Sequence, residues 1–76
     1  MQDIYKLTAE KLSAASAQEV LEHYPAAFAT HRNPGHTDRE VYVRGTRKDA
    51  EMVKVAIHSR NGGASCTIEL MPEEEE

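Results

Sequence analysis

Val41 and Val43 alternate with Glu40, Tyr42 and Arg44, the period-two pattern of a strand with one buried face. Thr46 breaks that pattern and predicts a helix cap. Its hydroxyl can accept from the backbone N–H near Asp49, whose carboxylate complements the positive end of the helix dipole. Ala50, Val53, Ala56 and Ile57 then recur within an arc of roughly 120° at ~100° per residue, so they form the buried stripe of that helix. It stops near Asn61-Gly62-Gly63, where glycine takes the left-handed conformation without steric cost. Cys66, Ile68 and Leu70 alternate with Thr67, Glu69 and Met71, a second half-buried strand. Residues 40–71 therefore read as strand, helix, strand.

The N-terminal stretch admits two patterns. Tyr5, Leu7 and Ala9 alternate with Lys6, Thr8 and Glu10, which favours a strand, whereas Thr8 to Leu12 could equally open a helix running to Tyr24. A single helix over residues 9–24 would point Leu12 and Leu21 ~180° apart at ~100° per residue, leaving no one apolar stripe. The element is therefore broken at residues 13–16. Ser16-Ala17-Gln18-Glu19 matches a capping box and predicts a short helix over residues 17–24 that buries Val20, Leu21 and Tyr24 and ends at Pro25. Residues 26–31, around Phe28, read as a weak strand at a sheet edge, and residues 33–38 as the loop of a hairpin. The order is β-α-β-β-α-β. This predicts an α+β, ferredoxin-like two-layer sandwich with two helices on one face of an antiparallel sheet, an architecture that hosts many unrelated functions.

At 76 residues the chain is expected to form one small α+β domain over residues 1–72, with residues 73–76 an acidic disordered tail. The formal charge of -4 equals that of Glu73 to Glu76, so net acidity belongs to the tail. A single cysteine excludes an intrachain disulfide. The start at Met1 shows no basic-then-apolar leader and the chain has no apolar run of ~18 residues, so a reduced, cytoplasmic protein without a membrane partner is expected.

Little in the pattern points to chemistry. His23, His31, His36, His58 and Cys66 lack the close spacings of a zinc site, and exposed loop histidines are the simpler reading, so neither metal nor cofactor is expected. Cys66 has no recognisable base and no helix start aimed at it, which makes it a small buried hydrophobe. Gly45, Gly62 and Gly63 fit no phosphate-binding pattern and read as turns and caps. No catalytic residues are assigned, and the protein is not expected to be an enzyme.

Two surfaces stand out. Met52 and Val55 sit roughly opposite the buried stripe, beside Lys48 and Ser59, as an apolar pair on an exposed helix face. Positive charge gathers at Arg32, Arg39, Arg44, Arg47 and Lys48; with Val41 and Val43 facing the helices, Tyr42 and Arg44 lie on the open sheet face and Lys6 on the neighbouring strand. An exposed aromatic beside arginine is what a single-stranded nucleic-acid platform uses, so Lys6, Arg39, Tyr42, Arg44 and Arg47 form the alternative site, although the clustered aromatics of an RNA-recognition motif are absent. The leading expectation is a non-enzymatic protein-binding module that contacts another protein or itself as a homodimer, through Lys48, Met52, Val55 and Ser59. By size and layout the chain resembles the small stand-alone accessory proteins of bacteria and their phages, some of which inhibit CRISPR complexes; this anti-CRISPR-like resemblance is one of size class only.

Overall fold

The computed structural model describes residues 3–32, 38–63 and 65–71. Tyr5, Leu7 and Ala9 are buried along β1 (Asp3–Glu10), so the alternation decides this segment as a strand to Glu10. Lys11 then turns the chain with φ 61, a left-handed conformation uncommon outside glycine, asparagine and aspartate. Helix α1 (Ala14–His23) follows, then β2 (Ala27–Arg32), β3 (Asp38–Gly45), α2 (Arg47–Arg60) and β4 (Cys66–Leu70). The sheet order is β2-β3-β1-β4 with every neighbouring pair antiparallel, the ferredoxin-like arrangement. The hairpin loop expected over residues 33–38 lies outside the described residues except for Asp38, which opens β3. The acidic tail also lies outside them.

Helix α1 begins one turn earlier than the capping-box pattern predicts. Ser13, in extended geometry, is the N-cap, and its hydroxyl accepts from the backbone N–H of Ser16 at 3.1 Å. Starting at Ser13 adds helical bonds through two alanines and places Leu12 and Ala17, both buried, at the two positions of a hydrophobic staple. Leu12 thus reaches the core from outside the helix and never needs to share a stripe with Leu21. Glu19, which a box at Ser16 would have used, instead accepts from Arg60 Nε at 2.7 Å and ties α1 to α2.

Helix α2 follows its sequence pattern closely. Thr46 Oγ1 accepts from the Asp49 backbone N–H at 3.3 Å while Asp49 Oδ2 accepts from the Thr46 N–H at 3.0 Å, a reciprocal box. At the other end the Gly63 N–H donates to the His58 carbonyl at 3.0 Å, made possible by the left-handed Gly62 at φ 70. Ala50, Val53, Ala56 and Ile57 are buried. Most of this stripe joins Leu7, Val20, Val41 and Val43 in one core between the helices and the sheet.

Strand β4 departs from expectation at its end. Cys66 is buried and Ile68 half-buried, but Leu70 is 54% exposed. Leu70 pairs with the inward-facing Tyr5 and shares its face, yet β4 is an edge strand and the helix layer leaves its last residue uncovered.

Candidate functional site

Helix α2 presents the apolar pair to solvent. Met52 is 51% and Val55 67% exposed, and Lys48 and Ser59, one turn before Met52 and one turn after Val55, are exposed as well. The four residues therefore do share one face. A fifth residue joins them that the helical wheel does not reveal. Tyr24 caps the C-terminus of α1, where its N–H donates to the Val20 carbonyl, and Pro25 prevents another turn. Its half-buried ring lies beside α2, and a shallow groove is lined by Tyr24, Lys48, Glu51, Met52 and Val55. The same Met52 and Tyr24 continue into a second hollow with Pro25 and Ala26. Chemically this surface offers aliphatic and aromatic contact, with Lys48 and the Arg47-paired Glu51 supplying its charged groups.

The open sheet face holds a different set. Lys6, Tyr42 and Arg44 lie there together, and Phe28, 44% exposed, is brought to them by a bulge in β2 between Ala27 and Ala29. The rings of Phe28 and Tyr42 stand 6.3 Å apart, and the Arg44 guanidinium carbon sits 4.8 Å from the Phe28 centroid. The charges on this face are largely satisfied internally. Lys6 bridges Glu40 and Glu69 at 3.9 and 3.5 Å, and the Tyr42 hydroxyl donates to Glu40 Oε1 at 2.8 Å. That bond favours the neutral phenol and pushes the Tyr42 pKa up, with desolvation and the Glu40 charge adding to it. The resulting stabilisation is present below the ordinary tyrosine range and is lost as pH rises through the raised value.

Two members of the alternative nucleic-acid set lie elsewhere. Arg39 is on the helix side of β3, donating from Nε to the Leu12 carbonyl at 3.3 Å. Arg47 starts α2 and pairs with Glu51 at 3.1 Å. The reason is register: Arg39 stands an even number of residues from the inward-facing Val41, and Arg47 belongs to the other layer.

Among the described residues no three His, Cys, Asp or Glu side chains converge as metal ligands would, and His36 lies outside them. Burial pushes the Cys66 thiol up, with Lys54 opposing, so the protonated form is held through neutral pH. No helix among the described residues is long and apolar enough to cross a membrane.

No family model matches the chain, and no curated protein matches it. Among solved structures it is similar to the protein described as "Crystal structure of PH0061", with a TM-score of 0.59 and 15% sequence identity. The match covers 99% of this chain and 55% of that one, so this chain spans about half the length of its structural relative. At this identity the likeness is one of fold, a four-stranded antiparallel sheet carrying two helices.

Proposed function

We propose that this domain is a non-enzymatic protein-binding module whose contact surface is the outer face of α2. The observation that supports it is the adjacent exposure of Met52 and Val55 on that face, with Tyr24 extending the apolar surface into a groove. Fully burying side chains of this size is worth about 1.5–3 kcal/mol each, so a few anchors of this kind can dominate a small interface. Methionine adapts its shape to what it meets. Lys48, exposed at the edge of the groove, makes no ion pair among the described residues. The occupant that fits is a segment of another protein presenting an aliphatic or aromatic side chain to Tyr24 and Met52, with a carboxylate toward Lys48.

The test is the double substitution Met52→Glu with Val55→Lys. Stability should stay within about 0.5 kcal/mol of wild type, since both residues lie off the core. Affinity for the partner should fall at least about tenfold, because charge placed in an apolar contact is desolvated without a counter-ion. Collapse of the fold would place these residues in the core instead. Light scattering that shows a wild-type dimer turning monomeric would make the partner a second copy of the chain.

A second reading has one specific observation in its favour, the Phe28–Tyr42 pair with Arg44 on the open sheet face. Glu40 and Glu69 oppose it by neutralising Lys6 and adding negative charge beside the rings. Mixed-sequence single-stranded oligonucleotides at low salt should therefore show only weak, non-specific anisotropy changes. A salt-sensitive complex lost on Tyr42→Ala would reverse the order of the two readings.

A further inference from the structure

At the end of the sheet where β1 turns into α1, two arginines face each other directly. Arg32 of β2 is the register partner of Arg39 of β3, and like charges placed opposite each other across two strands destabilise a sheet. Neither arginine, nor Lys11 from the turn, forms an ion pair among the described residues. The nearest strand carboxylates, Glu10 and Asp38, each neighbour an inward-facing position, Ala9 or Arg39, and so project to the other side of the sheet. The three cations and Leu12, Ser13 and Ala14 line one cavity. Arg39 Nε is fixed there by the Leu12 carbonyl at 3.3 Å, which holds the guanidinium against the cavity wall.

We propose that this cavity binds a phosphate group, with Arg32 and Arg39 as a paired clamp and Lys11 as the third cation. A tetrahedral oxyanion placed between two guanidiniums turns their repulsion into charge-assisted hydrogen bonds, and the planar fork of arginine suits it. The start of α1 adds to this field. Its first turn carries no acidic residue, and the N–H groups of Ala14 and Ala15 have no intrahelical acceptor. The arginine pair carries the inference, and the helix end only strengthens it. The site lies apart from the Met52 surface and stands independently of the protein-binding reading.

The experiment is an amide NMR titration of the whole chain at constant ionic strength with inorganic phosphate, adenosine 5′-monophosphate and an oligonucleotide lacking terminal phosphates. Saturable shifts at Ala14 and Ala15 are expected with phosphate, weakened about three- to tenfold by Arg32→Gln and similarly by Arg39→Gln. Arg39→Gln also removes a bond to the backbone, so exposed Arg32 provides the cleaner variant. Phosphate should raise the melting temperature of the wild type more than that of Arg32→Gln at the same concentration, while without phosphate Arg32→Gln should melt higher than wild type because the repulsion is gone. Tighter binding of the nucleotide than of free phosphate would assign a nucleotide, equal binding free phosphate, and tighter binding of the oligonucleotide a phosphodiester backbone. Non-saturating shifts, or shifts unchanged by Arg32→Gln, would overturn the proposal. Met52→Glu with Val55→Lys should titrate like wild type, so failure at one surface is distinguishable from failure at the other.

Discussion

Ile57→Asp should abolish the cooperative melting of the domain. Ile57 is fully buried in the α2 stripe and ranks among the largest inaccessible side chains, within a core built mostly of valine, alanine and a few larger residues. Aspartate there loses the transfer energy and contacts of the isoleucine, and its carboxylate must be protonated or hydrated because the core offers it no counter-ion. The combined cost is about 4 kcal/mol or more, a large part of what a domain of this size has in reserve. Circular dichroism should show loss of the sigmoidal transition at neutral pH, with partial recovery under acidic conditions where the carboxyl is neutral. An unchanged melting curve would mean that the buried face of α2 is wrongly phased.

Gly45→Ala should cost about 2–3 kcal/mol, a large effect for one added methyl group. Gly45 joins β3 to α2 at φ 150, a backbone conformation that side chains rarely adopt. A Cβ at this position would collide with Asp49 Oδ2, the atom that accepts from the Thr46 N–H and hydroxyl in the capping box. The substitution therefore strains the backbone and displaces the Asp49 half of the capping box at once. Asp49→Ala alone removes only the Asp49 half of the capping box and leaves the Thr46 cap, costing about 1 kcal/mol. The double variant should lose less than the sum of the two, because removing the carboxylate removes the clash. Urea midpoints with unchanged slopes would measure this cycle; strict additivity would show that the methyl group never meets Asp49.

Ile57 and Gly45 both belong to the segment whose fold is legible in the sequence itself. The caps and stripe of α2 depend on residues within one or two turns of each other, so Thr46, Asp49, Val53 and Ile57 announce the helix by themselves. The alternation of Tyr5, Leu7 and Ala9 likewise gives the central strand. At α1 two serines three residues apart could each cap, and the choice falls to Ser13 because Leu12 finds a place in the tertiary core, which local spacing does not encode. Phe28 reaches the open face through a bulge set by the pairing of β2 with β3, and Leu70 is bare because the helix layer stops short. Both depend on partners distant in sequence. The exposed face of α2 was visible from the wheel, whereas Tyr24, which extends it, comes from the neighbouring helix. In the sequence the arginine pair is only scattered positive charge; the strand register is what sets Arg32 against Arg39.

A photo-crosslinking amino acid at position 55, with the same group at exposed Glu22 on α1 as the control, tests the protein-binding reading most directly. The reading predicts one discrete protein adduct from position 55, absent from position 22, that is competed away by unlabelled wild-type domain and not by the Met52→Glu, Val55→Lys variant. Equal adducts from both positions, or competition by that variant as effective as by wild type, would contradict it.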